Sequence, residues 1–464
     1  MHLPPSDGSQ AQNDDFLVSK RYAWFVFAMT FALMLFDYID RQIVVSMFPH
    51  LKAEWDLSDK QLGALVSVVS ITVALGSVPL ALIADRWSRV KSIFLMAAVW
   101  SVATISCAFT RNYGQLFAGR AAIGLGEAGY GSAAGALLAS IFPGRLRSTV
   151  LGAFLAAASL GSVLGVVLGG FISQHWGWRA AFGVVGFPGL ALALLFLFVR
   201  DYKTVPLPTA RGAAPSSGSV RVIAAALLEP RTAVLVCLGS ALQLFVLSTM
   251  YTWMPSFLNR YYGLAPDQAG LKAAIVILLG AAGAVVWGIL ADRAGRKQPR
   301  RKLYLVAGAC LLTLALLSFA FGALPPGPLQ FALIAAGGFG LTCTIGAVPA
   351  VVMDVVHPGL RATAAAMVTL IQNLLGLAAG AFVAGVLSDA LGLQNALAVI
   401  PLASLGAALL LIVAARSYEA DKQRLADIHL SVDDAVPQAA PFGPQRAPGA
   451  SDEISVTPHR QTTT

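Results

Sequence analysis

The sequence predicts an all-α membrane protein: twelve transmembrane helices in two pseudo-symmetric six-helix bundles. Three observations predict it. Of 464 residues, 57% are hydrophobic and only 12% charged, about half the roughly 25% of a soluble globular domain. Apolar runs of about 20 residues, each long enough to cross a bilayer core of about 30 Å, recur along the whole chain. Two short motifs also occur twice, at matching places in the two halves.

The twelve runs, taken as helices 1 to 12, cover residues 21–48, 61–84, 92–110, 115–142, 148–172, 180–199, 230–256, 267–290, 303–322, 329–355, 362–388 and 395–415. They divide the chain into an N-terminal tail (1–20), a first bundle (21–199), a linker (200–229), a second bundle (230–415) and a C-terminal segment (416–464). The tail is polar, with Pro4, Pro5, Asp14 and Asp15. The apolar run after it is too long for the core of a signal peptide. The linker contains PLPTARGAAPSSGS, which has no apolar face to bury. The C-terminal segment is polar and reads as a disordered cytoplasmic tail.

The net charge of +9 could point to nucleic acid, but its distribution points to topology. With a cytoplasmic N-terminus, 24 of the 32 Lys and Arg fall inside, two (Arg41, Arg120) within the membrane and six outside: Lys52, Lys60, Arg111, Arg179, Arg260 and Lys272. Cys107, Cys237, Cys310 and Cys343 lie in apolar runs without metal-ligand spacing and read as packing residues. No His/Cys/Asp cluster or phosphate-binding glycine loop argues for an enzyme. His175 and His357 fall in loops or at helix ends and read as solvated.

Between helices 2 and 3 the chain reads ALIADRWSRVK (81–91); between helices 8 and 9 it reads GILADRAGRKQ (288–298). Asp85-Arg86 thus recurs as Asp292-Arg293, 207 positions later. FPGRLRST (142–149) is echoed by HPGLRAT (357–363), pairing Arg147 with Arg361 at a spacing of 214. Two bundles joined by a long linker and related by parallel repeats are expected of one class of secondary transporter.

Helix 1 holds MLFDYIDRQIVV (34–45), and helix 4 holds QLFAGRAAIGLGEAGYGSAAG (115–135). Together they place Asp37, Asp40, Arg41, Arg120 and Glu127 inside the membrane. At about 1.5 Å rise per residue, Asp40 and Arg41 lie about 10–12 Å deep, Arg120 about 8 Å and Glu127 about 18 Å. Each such group costs about 2.5–3.5 kcal/mol at a helix centre, so the five must face one another or a wet cavity. Three acids against two bases leave a formal charge of −1. One carboxyl group is therefore expected to hold a proton part of the time, because burial and like charge disfavour the ionised form. Asp37, at i−4 from Arg41, also orients it.

The loop Gly-x-Leu-Ala-Asp-Arg-x-Gly-Arg-Lys, present in full at 288–297 and with Ala81 and Ser88 in place of glycines in the first copy, resembles the signature of the major facilitator superfamily. Tyr38-x-Asp40-Arg41, Gly126-Glu127-Ala128-Gly129-Tyr130, GFPGL (186–190) and WGWRAAF (176–182) together resemble its spinster-like branch. The nearest neighbour is the anion:cation symporter branch. Asp37 stands where Asn often precedes the helix 1 motif.

The resemblance implies a major facilitator fold working by alternating access, with no cofactor and the proton gradient as driving ion. It makes Asp40 and Glu127, with Asp37, the proton-coupling residues. Arg41 and Arg120, with Tyr38, would bind an anionic headgroup. If helices 1, 4, 7 and 10 line the cavity, as in that superfamily, Gln243, Tyr251, Gln372 and Asn373 are the polar groups of the second half nearest the substrate. In the signature loops, Asp85 would face the start of helix 11 near Ala362 and Thr363. Asp292 would face the start of helix 5 near Ser148 and Thr149. Each aspartate then meets a positive helix end of the other half. These contacts would latch the cytoplasmic side, with Arg86, Arg89, Arg293 and Arg296 beside them and serving positive-inside sorting as well.

A cavity charged on one wall and nearly apolar on the other suits an amphipathic anion of the lysophospholipid or sphingoid-phosphate type. The alternative is a proton-coupled symporter of small organic anions such as a sugar acid or aromatic acid. Gly161, Gly165 and Gly169 on helix 5 read as close helix packing. Gly124, Gly126, Gly129 and Gly131 read as room for helix 1 beside Glu127. Short loops and high alanine content suggest a bacterial inner membrane, both termini cytoplasmic, and a monomer. The expected partners are the bilayer and a small anionic substrate, with no nucleic acid.

Overall fold

The structure, a computed structural model, describes residues 16, 18–200, 229–296, 298–357 and 360–435. Most of the predicted N-terminal tail, nearly all of the linker, Lys297, Pro358, Gly359 and the end of the C-terminal segment lie outside the described residues. Outer and cytoplasmic are used in the sense of the orientation predicted from charge.

Helix 1 spans Lys20–Ser46 and gives way to a short outer helix, Phe48–Trp55, with Pro49 in its first turn. Helix 2 (Asp59–Arg86) begins with a capping box: Ser58 Oγ accepts from Gln61 N, and Gln61 Oε1 accepts from Ser58 N. Helix 3 is Arg89–Cys107, helix 5 Gly144–Trp176 and helix 6 Trp178–Phe196. In the second half, helix 7 is Arg231–Tyr262, helix 8 Pro266–Gly295 and helix 9 Arg301–Ala323. Helix 12 opens with Leu393–Val399 and continues as Ala403–Ala435. It therefore runs on past Ala415, and residues 416–435, read from sequence as tail, are helical.

Among the described residues eleven helices are long and apolar enough to cross a membrane. The twelfth crossing is helix 4, which is broken into Tyr113–Glu127 and Tyr130–Ile141. Helix 10 is broken too, into Pro328–Gly340 and Thr344–Val355. The sequence reading had both as single helices. The breaks fall in GLGEAGYG and GGFGLTCTIG, where glycines make departures from helical geometry cheap. Ala128 and Thr342 sit at the two breaks, 214 residues apart, the same spacing as Arg147 and Arg361. Helix 11 is interrupted differently: a π-helical turn, Gln372–Ala378, lies between Arg361–Ile371 and Ala379–Leu391.

Helix 1 packs along helix 5 almost backbone to backbone. A Cβ on Gly161, Gly165 or Gly169 would lie 2.5–2.6 Å from the carbonyl oxygens of Leu35, Ile39 and Ile43 in turn, so only glycine fits. The glycines of helix 4 do not seat helix 1, contrary to expectation. Gly124 abuts Val69 and Thr72 of helix 2, Gly126 abuts Trp100 of helix 3, Gly129 abuts Met96 and Leu80, and Gly131 faces open space. What ties the second piece of helix 4 to helix 1 is the buried Tyr130, whose hydroxyl donates to Thr30 O at 2.5 Å.

The halves meet where helix 5 crosses helix 8 (Val166 and Gly170 against Gly270 and Pro266) and where helix 2 runs beside helix 11. At the cytoplasmic end, Arg145, Arg147, Ser148 and Thr149 at the start of helix 5 are exposed.

Candidate functional site

The five charges of helices 1 and 4 come together. Arg41 Nε donates to Asp37 Oδ1 at 2.9 Å, one helical turn back, and lies 3.0 Å from Glu127 Oε2. Nε carries one hydrogen and Asp37 takes it. The contact with Glu127 is therefore one of charge, and neither Glu127 oxygen receives a hydrogen bond. Tyr38 places its ring beneath the Arg41 guanidinium, 5.1 Å from centroid to Cζ, a cation–π contact that holds the side chain in place. The Arg41 side chain keeps 18% of its surface accessible, while those of Asp37 and Glu127 keep 4% and 0%.

Arg120 behaves differently. Its Nη1 donates to Asp40 O at 3.1 Å, Nη2 to Arg41 O at 3.5 Å and Nε to Leu65 O at 3.4 Å. The nearest carboxylate oxygen, Asp40 Oδ2, is 3.9 Å away. Arg120 thus spends its donors on backbone carbonyls of helices 1 and 2 and is only 1% exposed. In this conformation it clamps three helices rather than opening onto a cavity, where the sequence reading expects an anion contact. Asp40, also 1% exposed, has both oxygens buried without a hydrogen bond.

The predicted partners in the second half are not gathered around this cluster. Gln243 is fully buried, and its Oε1 accepts from Ser404 Oγ of helix 12 at 2.8 Å. Tyr251 aims its hydroxyl at Gly280 of helix 8. Gln372 donates from Nε2 to Ser240 Oγ at 3.1 Å, and Asn373 donates back to Thr369 O within its own helix at 2.9 Å. The contacts described for these four lie within their own half, and Gln243 Nε2 is buried without a hydrogen-bond partner.

At the signature loops, the helix 2 backbone runs through Asp85 and Arg86, but their side chains lie outside the described residues. Arg89 starts helix 3, where Ser88 caps. Asp292 is 76% exposed in its side chain and pairs with Lys302 of its own half at 3.7 Å. Arg293 and Arg296 are exposed. The expected contact between Asp292 and the start of helix 5 is therefore not made in this conformation.

The sequence reading missed a polar cluster at the outer end. Asp59 opens helix 2 and receives Lys52 Nζ, both terminal nitrogens of Arg260 from helix 7, and Ser388 Oγ from helix 11. Lys52 and Arg260 entered the sequence reading only as counts of outer charge. The signal available was Ser58-Asp59, a helix start next to a basic loop, which points to a cap but not to a partner 201 residues away. Nearby, Glu54 is held below the usual carboxylate range by Arg179, which with Trp178 donates to it. Burial lowers His50 on the same short helix.

Comparison with known proteins follows the same lines. The family profile of the Major Facilitator Superfamily matches residues 30–379 and 237–438. An MFS-type efflux pump of Mycolicibacterium smegmatis is 28% identical, covering 85% of this chain and 90% of its own. Protein spinster of Drosophila melanogaster is 25% identical over 80% of this chain and 63% of its own. A gallate transporter of Pseudomonas putida is 26% identical over 84% and 91%. Among solved structures, a bacterial homolog of the human lysosomal transporter spinster, in an inward-facing and unoccupied conformation, superposes with a TM-score of 0.74 at 22% identity, over 88% of this chain and 99% of that one.

Proposed function

The chain belongs to the major facilitator superfamily, and on that premise we propose that it is a proton-coupled carrier of an amphipathic anion, spinster-like in its chemistry. As a transporter related to spinster proteins and to organic-anion carriers, it moves small molecules across a membrane by alternating exposure of one site. The observation that carries the finer reading is Arg41: a cation between two buried carboxylates, with part of its surface still accessible.

An anionic headgroup approaching Arg41 competes with Asp37 and Glu127 for the guanidinium. As the headgroup takes those contacts, Glu127 loses its counter-charge and takes up a proton, since an unpaired carboxylate in that setting is costly. Asp40 is where we place the resting proton: its two oxygens, like those of Glu127, are buried without a hydrogen bond, but its nearest guanidinium nitrogen is 3.9 Å away against 3.0 Å for Glu127. Arg120 holds the geometry through three carbonyls and does not touch substrate. The apolar second half supports a hydrocarbon tail: Gln372 and Asn373 are already hydrogen-bonded within that half, and Gln243 is buried there with its Oε1 paired to Ser404 and its Nε2 unpaired. A second reading, uptake of a small organic acid, is supported by the likeness to the gallate transporter.

Flux into proteoliposomes under an imposed pH gradient tests the proposal. A lysophospholipid or sphingoid phosphate is offered beside a hexuronate and an aromatic acid. Lipid movement above that of empty vesicles, lost in Arg41→Ala, is the expected result. Gradient-driven uptake of a small acid, with the lipid inert, would place the protein among the organic-anion carriers.

A further inference from the structure

The contacts between the halves include one seam whose chemistry goes beyond packing. At its outer end two aspartates reach across in opposite directions. Asp389 of helix 11 accepts from the backbone N–H groups of Asp59 and Lys60, both at 2.8 Å, and so caps the positive end of helix 2 from the other half. Asp59 of helix 2 accepts Arg260 of helix 7 in bidentate fashion, at 2.6 and 2.7 Å, and Ser388 of helix 11 at 2.5 Å. Below them the two backbones touch. Gly63 lies against the carbonyl of Ala381, and Gly385 against the carbonyl of Asp59. One turn further in, Ser67 Oγ donates across the boundary to Ala378 O at 2.6 Å, at the end of the π-helical turn.

Two details separate a latch from a permanent brace. Asp59 keeps Lys52, 2.6 Å away in its own half, when Arg260 leaves, so it is never left buried and unpaired. Ser67 has a second acceptor, Gly63 O of its own helix at 3.0 Å, to which its one hydrogen can return. Both of these rungs can open without stranding a polar group.

We propose that this seam, with the Asp59–Arg260 pair at its centre, is the latch of the outer gate, whose rupture lets the outer ends of the halves separate. The latch acts on the conformational equilibrium whatever the substrate, so its test does not depend on the proposed anion.

The four native cysteines are buried, which leaves introduced cysteines free for spin labels. One pair sits at the outer ends (Arg111→Cys with Gln268→Cys) and one at the cytoplasmic ends (Arg145→Cys with Arg296→Cys). Pulsed dipolar spectroscopy in lipid nanodiscs then reads both openings. Arg260→Gln, which breaks a partly buried ion pair, and Asp389→Asn, which removes the charge from a helix cap, are each expected to raise the ratio of outward-open to inward-open protein roughly tenfold. Arg260→Lys should fall between them and the parent, since it keeps the charge and loses the fork. Unchanged distributions in both charge variants would overturn the proposal. If either fails to give monodisperse protein, Ser67→Ala and Ser388→Ala carry the test. Each removes one neutral donor and should shift the ratio about threefold in the same direction. No shift in these two would equally overturn it.

Discussion

Helices 4 and 10 occupy equivalent places in the two halves and are broken at the same point, yet they do different work. Helix 4 carries Arg120 and Glu127 at buried positions, while helix 10 at its break offers Thr342, Cys343 and Thr344. The corners after helices 5 and 11 match as well: Gly177 and Gly392 both have φ of 82°, a left-handed turn that favours glycine. The repeat thus preserves backbone interruptions and corners, while the buried charges of helix 4 have uncharged residues opposite them at the break of helix 10. A carrier needs two walls that move alike; it does not need two walls with the same chemistry.

That contrast can be broken at several places. The largest effect is expected from Arg41→Ala, which removes the sole guanidinium between Asp37 and Glu127. Unpairing buried charges costs about 3–5 kcal/mol, and gradient-driven flux should fall by about a hundredfold or more. Residual flux within a factor of about three of the parent would remove Arg41 from the mechanism. Glu127→Gln should leave folding intact but flatten the dependence of flux on an imposed pH gradient; a profile parallel to the parent's would show that another group carries the proton. Gly165→Val places side-chain atoms against the Ile39 carbonyl and should destabilise by about 1–3 kcal/mol, the range for overpacking. Thermal unfolding in detergent, followed by the loss of monodisperse protein, measures it. The smallest effect sharpens the comparison from the uncharged side. Gln372→Ala loses its hydrogen bond to Ser240, worth about 1 kcal/mol, and should change flux less than twofold. A large loss there would mean that the second half reads the substrate after all.

Much of this was legible in the sequence because membranes leave few choices. A charged side chain within an apolar run must find a partner, so the meeting of helices 1 and 4 through Asp40, Arg41, Arg120 and Glu127 could be anticipated from depth alone. The role of Arg120 could not. Whether a guanidinium bonds carboxylates or carbonyls depends on angles fixed by neighbouring helices, here Leu65 of helix 2. The glycines divided in the same way. Their spacing on helix 5 announced a close approach and structure supplied helix 1, whereas those of helix 4 turned out to face helices 2 and 3. The outer cluster was hidden because Asp59 and Arg260 are each unremarkable near a helix end, and only tertiary structure joins them. The breaks in helices 4 and 10 were visible as glycine density, and in helix 4 that density was read as packing room rather than as a departure from the helix.

The glycine seam between helices 1 and 5 bears on how cargo moves. With carbonyls of Leu35, Ile39 and Ile43 seated directly on Gly161, Gly165 and Gly169, no layer of side chains separates the two rods. Side chains are what let neighbouring helices slide or roll past each other. Without them, helix 1 has no private motion, and Asp37, Asp40 and Arg41 travel as part of the bundle to which helix 5 belongs. On the proposed function, an anion held by Arg41 would be ferried, not handed on: the whole half would be the vehicle, and the cargo would change sides without changing its seat.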